Sequence, residues 1–96
     1  MLDFYLIKDE QSNSSNKAGF EFAGSLNEQA FEDLQRKKII EERFDYYRDF
    51  RWSSGQVKQK FTQLKKQPTK EKSVITFLAI LEKAVSQKSG LMAYAD

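Results

Sequence analysis

The chain has 96 residues, 40% apolar and 31% charged, with a net charge of +2 and neither cysteine nor histidine. That length suits a single domain spanning 1–96 with one core. The missing residue types remove Ser–His and Cys–His nucleophiles, disulfides, and His- or Cys-ligated zinc and haem, so the expectation is a non-enzyme with no cofactor and no metal.

Residues 2–8, LDFYLIK, are aromatic and branched on both alternating faces, which predicts a strand near the middle of a sheet. The stretch begins with an acid at position 3 and lacks a basic lead, making a poor signal peptide. QSNSSN (11–16) reads as a surface loop. GFEFAG (19–24) alternates Phe20 and Phe22 with Glu21 and Ala23, the pattern of a second strand with one wet face.

Ser25 and Glu28 have capping-box spacing ahead of Leu26, Ala30, Phe31 and Leu34, predicting a helix over about 26–37. Ile39 and Ile40 fall out of its phase. Ser53 and Gln56 form a second capping pair before Val57, Phe61 and Leu64, so a helix is expected over 54–67, stopped by Pro68. A third helix capped by Thr69 carries Val74, Phe77, Leu78, Leu81, Ala84 and Val85 on one stripe, widened by Ile75, Ala79 and Ile80. Gly90 is read as its left-handed stop, and LMAYA (91–95) as a strand pairing with residues 2–8. The expected fold is α+β and two-layered: about three mostly antiparallel strands against three helices, in the order β-β-α-α-α-β.

Charge is segregated along this chain. Residues 1–34 hold two lysines against seven acids, whereas residues 53–72 hold six lysines against one acid. The longest apolar run is far short of the ~20 residues of a membrane span. With no cysteine and no evident leader, a cytoplasmic protein without membrane contact is expected.

Function points to FDYYRDFRW (44–52), which holds five of the thirteen aromatics. Phe44 and Phe50 suit the core, as does Trp52 on one reading. On the other, Tyr46, Tyr47, Arg48, Arg51 and Trp52 are exposed and dock a protein partner, because Tyr, Trp and Arg combine contact area with a polar handle. The alternative is RNA or DNA binding by the Lys-rich helix, with Lys58, Lys65 and Lys66 tracking phosphates. Glu41, Asp45 and Asp49 recur every fourth residue and would line one face if that segment were helical, with ion pairing to neighbouring arginines as the expected use. RFDYYRDFRWSSGQVKQK (43–60) with SGLMAYAD (89–96) resembles small bacterial proteins of unassigned function, some of them immunity-type partners of polymorphic toxins. That resemblance implies a small protein that binds and blocks another protein, a toxin domain for example. No contact residue carries over, since no contact motif is defined. The acidic front half also offers a docking surface.

Overall fold

The computed structural model describes residues 1–11, 19–67 and 70–95. Most of the expected 11–16 loop, the Pro68 stop and the Thr69 cap lie outside the described residues. Four strands and three helices follow one another: β1 (Leu2–Ile7), β2 (Glu21–Leu26), α1 (Glu28–Arg36), β3 (Phe50–Trp52), α2 (Ser54–Lys65), α3 (Lys72–Ser86) and β4 (Gly90–Tyr94). The α+β class and the placing of three helices agree with the sequence. The sheet gains a fourth strand, because Phe50–Trp52 pairs with β4.

The sheet order is β2-β1-β4-β3 with every pairing antiparallel. β1 is interior, as its two apolar faces require. Leu2, Phe4 and Leu6 point to the helices and join the main core, while Ile7 packs on the opposite face with Met92 and Tyr94. β4 alternates in the same way, sending Leu91 and Ala93 inward. Phe20 packs against the smaller outer cluster; Tyr5 meets the rings of Phe22 and Tyr94 edge-on, both at 5.5 Å. Phe22 remains half exposed, so β2 is a less buried strand than its aromatics suggest.

A bulge interrupts the β1–β2 ladder. Phe4 faces Gly24 and Tyr5 faces Phe22, leaving Ala23 without an opposite number. Gly24 has φ +150°, and a Cβ there would come within 2.6 Å of Ile80 Cγ1, so glycine lets β2 lie against α3. Next to the bulge, Lys83 Nζ donates to the Phe22 carbonyl at 2.9 Å and pairs with Glu21 at 3.5 Å.

The helix ends show where local sequence rules hold. Ser53 and Gln56 make the complete capping box expected of α2. α1 is capped instead by Asn27, whose side chain accepts from Ala30 N; Ser25 is diverted to donate across the strand pair to Asp3. α1 and α3 both finish in Schellman motifs with a lysine in the left-handed position. Lys38 (φ 65°) donates to Gln35 O and Ile39 to Leu34 O; Lys88 (φ 54°) donates to Val85 O and Ser89 to Ala84 O. Gly90 is therefore not the helix stop. It opens β4, where a Cβ would lie 2.3 Å from the Trp52 carbonyl oxygen. The apolar stripe of α3 is also narrower than expected: Val74, Phe77, Ile80, Leu81 and Ala84 are buried, Leu78 and Val85 flank them half-buried, and Ile75 and Ala79 face outward.

Candidate functional site

The segment between α1 and β3 decides what the aromatic stretch does. It is irregular rather than helical, so Glu41, Asp45 and Asp49 do not form a ladder, and each carboxylate is used separately. Glu41 pairs with Lys60 Nζ at 2.6 Å, Asp45 accepts from Tyr47 N, and Asp49 accepts from Ala95 N. Among the described residues no group of three or more metal-ligating side chains converges, and no helix is long and apolar enough to cross a membrane.

The aromatics divide between inside and outside. Phe44 stacks on Phe50 at 4.4 Å, and Trp52 lies parallel to Phe4 at 6.1 Å with the edge of Phe77 against it. Trp52 is 1% exposed, which removes it from the predicted docking set. It belongs to the core because β3 aims residues 50 and 52 at the helices. Residue 51 points the other way, and Arg51 is committed to the fold there. Its guanidinium donates to the carbonyls of Lys8, Asp9 and Gln11, strapping the chain after β1 to the sheet edge. Asp9 completes that strap by accepting from Ser54 N and Oγ at the start of α2, bonds that hold its carboxyl below the usual range.

Three residues of the predicted set remain. Tyr46 is half-buried with its ring tilted over Phe31 of α1, while Tyr47 and Arg48 project outward. Tyr47 is 63% exposed and stands edge-on to Tyr46 at 5.1 Å. Its phenol donates to Glu28 Oε2 at 2.8 Å. That bond, reinforced by burial and by the negative charges of Glu28 and nearby Glu32, pushes the phenol above its ordinary pKa. The fold thus brings the acidic α1 and the tyrosine pair onto one surface, although Glu28 and Tyr47 are far apart in sequence.

Comparison with known proteins finds no matching family, no matching curated protein and no matching solved structure. The site is read from its own geometry.

Most acids nearby are already neutralised. Asp33 is held by Arg36, Lys37 and the Ser73 hydroxyl; Glu42 pairs with Lys38, and Glu71 with Lys37. Among the described residues, no lysine or arginine pairs with Glu28, Glu32 or Asp45, the three carboxylates around Tyr47. Sequence reasoning proposed the acidic half and the tyrosines as separate options and missed their union, which depends on a non-local contact.

The alternative cationic set is dispersed. Lys58, Lys65 and Lys66 are exposed along α2, but the Lys65 ammonium sits 5.1 Å over the Phe61 ring. Lys60 turns inward, donating to Ile39 O as well as to Glu41, with its ammonium 5.0 Å from the centre of the Trp52 ring. Arg51 adds nothing to this cationic set, because its guanidinium is occupied by the strap.

An open groove of about 670 Å³ lies on the other flank of α1. Asp33, Arg36, Glu71 and Lys72 line it with near-balanced charge, so its walls favour neither anions nor cations.

Proposed function

We propose that this protein is a non-catalytic binding module that docks onto a partner protein and blocks it, using Tyr46 and Tyr47 together with Glu28 and Glu32. The observation carrying this reading is the exposed Tyr47 ring hydrogen-bonded to Glu28, in a patch of carboxylates without cationic partners among the described residues. An exposed tyrosine backed by a half-buried one provides a rigid apolar platform, and the carboxylates set orientation and specificity around it. Neutralisation of a toxin domain is the specific form suggested by the resemblance of residues 43–60 and 89–96 to immunity-type proteins. Nucleic-acid binding is less well supported, because among the described residues the one aromatic of α2, Phe61, is only partly exposed and lies under the Lys65 ammonium.

Co-expression with the product of each neighbouring gene tests the proposal. One product should arrest growth when expressed alone and be silenced by this protein. Tyr47→Ala should lose that protection while its thermal melt stays close to wild type. Protection unaffected by Tyr47→Ala, or no toxic neighbour at all, would overturn the proposal.

A further inference from the structure

Building on the reading of this face as a docking surface, we propose that its occupant is an arginine-rich protein surface, with a guanidinium received by Glu28 and Glu32 against the Tyr47 ring. The carboxylates point to a cation. Glu28 and Glu32 stand one helical turn apart, where like charges repel, and no lysine or arginine among the described residues relieves them. Asp45 adds a third negative charge through its bond to Tyr47 N. The exposed Arg48 next in the chain pairs with none of the three. By contrast Asp33, on the neighbouring flank of α1, has two cations of its own.

The geometry favours arginine over lysine. The Tyr47 hydroxyl occupies Glu28 Oε2, which orients that carboxylate and leaves Oε1 available. A planar guanidinium can donate to carboxylate oxygens along one edge while its face stacks on an aromatic ring; an ammonium offers only a point charge. The surrounding acids also accelerate encounter with a basic surface and repel an acidic one.

Hexa-arginine, with hexa-glutamate as its control, serves as probe in two-dimensional NMR titrations of the intact protein. Hexa-arginine should shift the signals of Glu28, Glu32 and Tyr47 saturably, and added salt should weaken the effect. In Glu28→Gln/Glu32→Gln the shifts at Tyr47 should disappear while the rest of the spectrum stays native. Equal shifts at the remote acids Glu10, Glu71 and Glu82, or shifts surviving in the double variant, would overturn the proposal. Concentration-dependent shifts at Tyr47 without peptide, abolished by Lys58→Glu/Lys65→Glu, would overturn it in favour of a second copy of this chain. With the biological partner, the double variant should bind at least about thirtyfold more weakly, the factor that corresponds to a hot-spot loss of ~2 kcal/mol. If Tyr47→Ala abolishes protection but the double variant retains it, the docking face stands and the arginine occupant falls.

Discussion

Replacing Lys60 by methionine removes one charge from a cluster that is neither surface nor core. The Lys60 side chain is 17% exposed and that of Glu41 is 35% exposed, with 2.6 Å between Nζ and Oε1. Fully exposed pairs contribute roughly 0.2–1 kcal/mol, whereas breaking a buried pair costs about 3–5 kcal/mol. An intermediate pair, together with the lost bond to Ile39 O, should cost about 2 kcal/mol; methionine preserves the aliphatic packing beside Trp52. The acid dependence supplies a second readout. Burial alone would raise the Glu41 carboxyl, and it is the largest single influence. The Lys60 hydrogen bond and charge, with help from a backbone hydrogen bond at Glu41, together outweigh it, so the pKa is lowered from its ordinary value. A lowered carboxyl stabilises the fold above its unfolded pKa and loses that contribution as pH falls through the folded value. In Lys60→Met the two Lys60 contributions are lost, so burial is opposed far more weakly and the lowering shrinks. The stability gap between wild type and variant should therefore be widest at pH 7 and narrow as the pH is brought down to about 3. Urea titrations at a series of pH values measure both quantities. A variant within about 0.5 kcal/mol of wild type at pH 7, or a gap independent of pH, would refute the reasoning.

The aromatic stretch should split cleanly in thermal melts: Phe44→Ala should cost about 3 kcal/mol or more and Tyr47→Ala no more than ~0.5 kcal/mol. Gly90→Ala should cost more than about 2 kcal/mol, because the atom it would strike is the backbone oxygen of Trp52, which cannot move without disturbing the β3–β4 ladder; chemical denaturation with unchanged m-value would show it. Lys88→Gly should stabilise the protein by about 0.5–1 kcal/mol by relieving a left-handed lysine, visible as a raised urea midpoint.

The parts legible in the sequence are those governed by neighbours along the chain. β1 and β4 announce themselves as short runs apolar on both faces, and the Ser53–Gln56 box places the start of α2 to the residue. Errors arise where a distant group intervenes. Ser25 has the spacing of a cap, but Asp3 across the sheet claims its hydroxyl, and Asn27 caps α1 instead. Three residues are too short for β3 to declare a period, and its existence depends on β4 being beside it. Glycine at position 90 resembles a helix stop until Trp52 is seen pressing on it, while Lys38 and Lys88 take the left-handed positions themselves. The site follows the same rule. The tyrosines and acids could each be picked out, but their common surface requires α1 to lie beside the 45–48 turn. The roles of Trp52 and Arg51 required knowing which way each strand residue points.

The sheet's central ladder has a kinetic consequence. β1 and β4 pair from Asp3–Tyr94 to Ile7–Gly90, joining segments about ninety residues apart, and among the described residues β4 is also the one sheet neighbour of β3. Closing so long a loop precedes any reward from the contacts it creates, which slows folding. During synthesis Leu2, Phe4 and Leu6 emerge well before β4, and among the described strands they have the lightly buried β2 as their one partner until residues 90–94 have left the ribosome. β4 is thus the keystone: its arrival converts a hairpin, a stray edge and three helices into one cooperative unit, and its local detachment would undo both halves of the sheet together.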